Sequence, residues 1–172
     1  MENGKALLII DMQNDYLWDN RKPKFSYDTE TLVKNVNSAV SSYSENGYEI
    51  IYIAQVFPDI ATNRLFIGFS IKDTEGAKLF EKLCTVSDLY FEKKLPDAYS
   101  SKAFRDFAEK RKYSKIVLCG LDECGCVAAT AKGAVKSGAE VFILKDSVGC
   151  RFSNDKRDRT RSELSALGVS YI

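Results

Sequence analysis

The chain has 172 residues, is 45% hydrophobic, and carries 25 basic against 24 acidic side chains with no histidine. That size and apolar content fit a single globular domain over residues 1–172 with a sizeable core, and the balanced charge offers no field to attract nucleic acid or an anionic membrane. The missing imidazoles exclude Ser-His-Asp and Cys-His catalysis, two-His-one-carboxylate iron centres and His-ligated zinc, so any chemistry falls to Cys, Asp, Glu, Lys, Tyr or backbone groups.

The opening MENGKALLII has no basic segment leading into a long apolar one, and no run approaches membrane-span length, so a cytoplasmic location is expected. Residues 6–10, ALLII, read as a buried strand that delivers Asp11 at its carboxyl end. Leu32, Val33, Val36, Ala39, Val40 and Tyr43 recur at intervals of three and four, which predicts a helix over 29–43 capped by Asp28 or Ser26 and stopped by Gly47. Residues 50–54 give a second buried strand ending at Gln55, and 56–74 a long loop with Pro58 and Gly68. A short helix is predicted over 75–83, a third strand over 88–92 running into Lys93-Lys94, and a helix over 101–112 with Phe104, Phe107 and Ala108 inward. IVLC at 116–119 is the fourth strand, and Val127, Ala131, Ala134 and Val135 mark a helix whose start carries Cys126. Residues 141–144 form a strand ended by Asp146. A polar loop through Arg159, a helix carrying Leu164 and Leu167, and a strand over 169–172 close the chain.

Six apolar strands alternating with helices, without a strong hairpin signal, indicate an α/β fold with a mostly parallel sheet. Ligands of such sheets bind beyond the carboxyl ends of the strands. Asp11, Lys93, the 120–126 turn and Asp146 all fall at such ends. The alternating charges of Lys156, Arg157, Arg159 and Arg161 with Asp155 and Asp158 read as a solvated helix face.

Five cysteines, an odd number without a secretory leader, read as reduced thiols, most of them small buried hydrophobes. Cys119, Cys124, Cys126 and Cys150 match no usual zinc spacing, so no structural metal is expected. A thiol at a helix N-terminus is expected to titrate below its free value of about 8.5. Without His, activating such a thiol requires a carboxylate to take its proton and an ammonium to hold the thiolate. Asp11 and Lys93 stand at suitable strand ends, although an Asp also suits a turn and paired lysines also suit solvent.

Three stretches together resemble the isochorismatase-like cysteine hydrolase superfamily, which includes nicotinamidases, N-carbamoylsarcosine amidase and ureidoacrylate amidohydrolases. LLIIDMQNDYL is similar to its opening strand with the catalytic Asp, at Asp11. DLYFEKKLPDAYSSKAF is similar to its strand-Lys segment, at Lys93 or, with a one-residue slip, Lys94. CGLDECGCVAATAKGA is similar to its nucleophile turn, at Cys126, and TEGAKL and LKDSVG resemble weaker signatures. The resemblance implies a three-layer sandwich with helices on both faces of a six-stranded sheet, a cis peptide between Leu121 and Asp122, and an oxyanion hole made by the backbone N–H groups of Asp122 and Cys126. It also implies a homo-oligomer. The Asp-His-His metal site of nicotinamidases cannot be copied here, and the turn Asp122-Glu123-Cys124-Gly125 is more acidic than the family's usual one.

The expected function is therefore metal-independent and cofactor-free hydrolysis of a C–N bond in a small amide or carbamoyl substrate, by Asp11, Lys93 and Cys126 through a thioester. The alternative is an inactive relative acting as a binding or assembly protein. A nucleotide-binding domain is disfavoured by the lack of G-x-G-x-x-G after the first strand. Phe57, Phe66 and Phe69, with Tyr16 to Trp18, either wall a substrate pocket or pack the core or a subunit interface.

Overall fold

Six apolar runs become the strands of one sheet: β1 Lys5–Ile10, β2 Glu49–Gln55, β3 Tyr90–Lys93, β4 Lys115–Gly120, β5 Glu140–Val148 and β6 Ser170–Tyr171. In this computed structural model, which describes residues 4–172, they lie in the order β3-β2-β1-β4-β5-β6, and every pairing is parallel. Along β1 the side chains alternate between faces. Ala6, Leu8 and Ile10 enter one apolar cluster and Leu7 and Ile9 the other, all fully buried. Burying each large aliphatic side chain stabilises the fold by about 1.5–3 kcal/mol, which is why the central strand carries no polar residue between Lys5 and Asp11.

The helices are α1 Asn14–Leu17, α2 Thr29–Glu45, α3 Ala61–Phe66, α4 Lys102–Arg111, α5 Ala128–Lys136 and α6 Asn154–Ala166. α2 covers one face of the sheet with Leu32, Val36 and Val40. Its start is capped by Asp28, whose carboxylate accepts from the Thr31 N–H at 3.2 Å. α4, α5 and α6 cover the other face through Phe104, Ala131, Ala134 and Leu164, which completes three layers. No helix among the described residues is long and apolar enough to cross a membrane.

Four local expectations are corrected. The 75–83 segment is two separate turns, Glu75–Ala77 and one closed by Leu83 N–H on Phe80 C=O at 2.9 Å, because between them Phe80 N–H bonds Met12 C=O at 2.8 Å and Leu79 bridges Gln13; tertiary pairing overrides its helical apolar spacing. The 56–74 loop contains α3, which buries no side chain and so shows no apolar period. β5 runs on to Val148, placing Asp146 inside a strand. α6 starts well before Arg159, capped by Ser153 at Lys156 N–H, with most of its charged residues in solvent.

Successive strands run one way from β1 to β3 and then cross to β4 on the other side, so the strand order reverses between β1 and β4. Their carboxyl ends flank the crevice where ligands of such sheets bind. Gly120 lets β4 approach β1 closely at that point. Its φ is +102°, and an added Cβ would lie 2.2 Å from the Ile10 carbonyl oxygen. Gly120→Ala is expected to destabilise by about 2–4 kcal/mol, read as a lower urea midpoint. Gly138→Ala, at φ +87° with nothing within 4 Å, should cost only the backbone strain of about 1–2 kcal/mol.

Candidate active site

Asp11 leaves β1 in the left-handed region, at φ 52°, a conformation Asp tolerates better than most residues. Its side chain is 4% exposed, and Oδ2 accepts from Lys93 Nζ at 3.0 Å. Asp11 Oδ1 is buried without a partner. Lys93 ends β3 and is buried, its ammonium also donating to Gln55 Oε1 at 2.9 Å. Gln55 in turn is clamped by Gln13, whose Nε2 donates to Gln55 C=O at 2.9 Å and whose Oε1 accepts the Gln55 N–H at 2.9 Å. The lysine is thus held between a carboxylate and an oriented amide. Lys94 points to solvent at the rim.

Cys126 sits on a wide turn, Glu123–Val127, that joins β4 to α5. The helical path is broken at Gly125, with φ −118° and ψ −108°. Asp122 organises this turn. Its C=O accepts from Gly125 and Val127 N–H, and its Oδ1 accepts from Cys124 N–H at 2.9 Å. Its Oδ2 takes the Tyr27 hydroxyl at 2.9 Å and the Arg151 N–H at 2.8 Å. The acidic Glu123 is buried and paired with Arg161 at 2.6 and 3.1 Å, so one member of the solvated basic helix reaches inward to brace the turn. The Leu121–Asp122 peptide is cis, and the Asp122 N–H has no backbone acceptor among the described residues.

Asp11, Asp122 and Cys126 line a cavity of about 280 Å³, walled by Tyr16, Phe25, Tyr27, Phe57 and Phe69. A wider groove of about 680 Å³ beside α4 and α5 contains none of Asp11, Lys93 or Cys126. Phe57, Phe69 and Tyr16 are therefore wall residues. Phe66 is 80% exposed outside the cavity, Leu17 is in the core, and Trp18 lines a different surface hollow. Asp146 is not brought to the site; its carboxylate is exposed and its C=O accepts from Asn35.

The expected low thiol pKa is corrected. Burial pushes the Cys126 thiol well up, the Asp11 negative charge pushes it further, and Lys93 offsets only part of this. α5 begins only at Ala128, so the thiol lies in the turn before the helix, facing a carboxylate. For Lys93, burial works against the ammonium, but attraction to Asp11 and to a Cys126 thiolate raises its pKa above the ordinary lysine value. Burial also raises the Asp122 carboxyl, opposed by its hydrogen bonds. The resting site thus holds a neutral thiol next to an ion pair.

Gln13, Gln55, Tyr27 and Arg151 were not identifiable as site residues from sequence patterns. The one available signal was Gln55 ending an apolar strand, as Asp11 does. Among the described residues, the only trio of Cys, Asp or Glu side chains close enough to share an ion is Asp122, Cys124 and Cys150. These donors do not fit a metal: both Asp122 oxygens are taken, and the Arg151 guanidinium lies 4.0 Å from Oδ2.

Residues 5–167 match the isochorismatase domain model. Among curated proteins, the chain is 23% identical over 143 residues to the uncharacterised isochorismatase family protein YddQ of Bacillus subtilis (strain 168), covering 83% of this chain and 76% of that one. Among solved structures, it is similar to nicotinamidase/pyrazinamidase PncA from Bacillus subtilis, with TM-score 0.82, 22% identity and 98% of each chain covered. It is also similar to N-carbamoylsarcosine amidase from Thermoplasma acidophilum, with TM-score 0.80, 19% identity and 98% and 95% covered. A third similar structure is PnC1 from L. infantum in complex with nicotinate, with TM-score 0.83, 19% identity and 100% and 93% covered.

Proposed function

The chain belongs to the isochorismatase family, and we propose that it is a metal-independent cysteine hydrolase cleaving a C–N bond of a small amide or carbamoyl compound. The observation that carries this reading is the orphaned, buried Asp11 Oδ1, in a cavity shared with Cys126, while Oδ2 is held by Lys93. A carboxylate oxygen desolvated without a partner is a ready proton acceptor.

In the first step Asp11 Oδ1 takes the Cys126 proton as the sulfur attacks the substrate carbonyl carbon. Before the transfer the site holds an ammonium and a carboxylate; afterwards it holds the ammonium and one negative charge that passes from the sulfur to the substrate oxygen as the C–S bond forms. The buried net charge does not change, so a resting thiol with a high pKa is compatible with attack once substrate is bound. The tetrahedral oxyanion accepts from the Asp122 and Cys126 N–H groups, a pair in which losing one donor costs about 3–4 kcal/mol. The C–N bond breaks as the Asp11 carboxyl returns its proton to the leaving nitrogen. Asp11 then takes a proton from water, whose oxygen attacks the thioester; the C–S bond breaks to free the acid, and Asp11 returns the proton to the departing Cys126 sulfur, restoring the thiol and the carboxylate.

Ammonia release from a panel of small amides and ureas tests this. Cys126→Ala is expected to lower turnover by about 10³-fold or more, and full turnover by that variant would refute the scheme. The high thiol pKa is the observation favouring a non-catalytic binding role. That role predicts no ammonia from any compound that binds, and unchanged binding by Cys126→Ala.

A further inference from the structure

We propose that Cys124 and Cys150 are a redox pair, joined in a disulfide by a hydroperoxide, and that this bond slows turnover at Cys126 by displacing the turn that carries it. The bond itself is independent of the hydrolase reading above; its effect on turnover rests on that reading.

The two sulfurs lie 3.5 Å apart, the only thiol-to-thiol hydrogen bond among the described residues. Both cysteines are half-buried, and neither enters one of the two apolar clusters of the core. Packing therefore does not account for them. The backbone holds them side by side: Glu123 N–H donates to Gly149 C=O at 2.8 Å, one residue before each cysteine. Beyond that bond the Asp122 carboxylate spans the two segments, accepting from Cys124 N–H at 2.9 Å and from Arg151 N–H at 2.8 Å. Such a frame gives each sulfur a high effective concentration at the other before any bond forms. Cys150 also borders a surface hollow of about 200 Å³, while the walls of the Cys126 cavity include neither cysteine. A small peroxide thus reaches the pair without passing through the substrate site.

In the first step one sulfur attacks an oxygen of hydrogen peroxide, and the O–O bond breaks to give a sulfenic acid and water. The other sulfur then attacks the sulfenic sulfur, the S–O bond breaks, and a second water leaves. Two thiols and one peroxide give one disulfide and two waters, with both thiol protons ending on oxygen. Burial raises the Cys150 thiol to about 12, which suits that sulfur to the second step, where proximity compensates for a scarce thiolate.

Bonded sulfurs sit about 2.05 Å apart, so the pair must close by about 1.5 Å. Cys124 is two residues from Cys126, and the residue between them is Gly125, whose φ of −118° and ψ of −108° break the helical path just before the nucleophile. Movement of Cys124 reaches Cys126 through this one glycine, and displacing a reacting group by about 1 Å costs up to about 10²-fold in rate.

The test treats the protein with hydrogen peroxide, blocks the remaining thiols with iodoacetamide and maps the tryptic peptides. Peptide 116–132 is expected joined to 146–151 through Cys124 and Cys150, in Cys126→Ala as in the native protein. Ammonia release by the native protein from the best compound of the amide panel should fall by about tenfold or more and return with dithiothreitol. Cys150→Ser should lack this reversible loss. No linkage in Cys126→Ala overturns the pair, even where the native protein is a working hydrolase. Linkage with unchanged turnover, or a reversible loss in Cys150→Ser equal to the native one, overturns its control of the site. Linkage in a protein that releases no ammonia, oxidised or reduced, supports the pair and removes the hydrolase reading.

Discussion

Asp11→Asn should abolish most turnover and at the same time make Cys126 more reactive toward an alkylating agent. The two effects separate because Asp11 has opposite consequences for the thiol at rest and in reaction. At rest, after burial itself, its negative charge is the main influence raising the Cys126 pKa, while Lys93 pulls it down. Asparagine keeps the shape and an oxygen for Lys93 but removes the charge, leaving the ammonium with the sulfur as its remaining anionic partner. The thiol pKa then falls, and each unit of the fall multiplies the thiolate fraction at neutral pH by about ten. In reaction, the variant has lost the base that takes the thiol proton, aids amine departure and activates water, a role worth about 10²–10⁴-fold. Because Cys84, Cys124 and Cys150 are also partly exposed, iodoacetamide labelling must be read at the Cys126 peptide. Slower labelling of Cys126 in Asp11→Asn would mean that the carboxylate activates the resting thiol, and would overturn this account.

The three candidate catalytic positions were legible because each follows an apolar run whose end is chemically abrupt. ALLII stops at Asp11, the third strand runs into Lys93, and the fourth leads to the turn bearing Cys126. In a parallel sheet these ends share one edge, so their order along the chain was enough to bring them together in expectation. The choice of Lys93 over Lys94 as the Asp11 partner depends on which side of the sheet each side chain projects from, and it is Lys93, paired in register with Gln55, that turns inward to Asp11 while Lys94 is exposed. What sequence periodicity could not carry was everything dependent on distant segments. The Gln13–Gln55 clamp spans 42 residues, Tyr27 reaches Asp122 across 95, and the Glu123–Arg161 pair spans 38. The thiol pKa belongs to the same class. A helix end is visible in sequence, whereas the burial and the facing carboxylate that override it are not.

Lys93→Met should be among the most destabilising single substitutions in the chain, at about 3–5 kcal/mol, because it leaves the Asp11 carboxylate buried without its counter-charge. The ammonium is fully buried and the Asp11 side chain only 4% exposed, so water entering from the cavity replaces the lost counter-charge only in part. Gln55 cannot compensate by turning, since Gln13 fixes its backbone and the Gln55 amide already donates to Lys93 C=O at 3.2 Å. Methionine has nearly the volume of the lysine stem, so the penalty is electrostatic rather than a cavity. That distinction is checkable by urea unfolding of a double-mutant cycle. Asp11→Asn combined with Lys93→Met removes both charges, and should be more stable than Lys93→Met alone although it carries one more change at the site. Lys94→Met, one residue along and exposed, should shift stability by no more than about 0.5 kcal/mol. If the double variant were instead less stable than Lys93→Met, the loss would lie in packing, and the buried ion pair would not be what holds Asp11 in place.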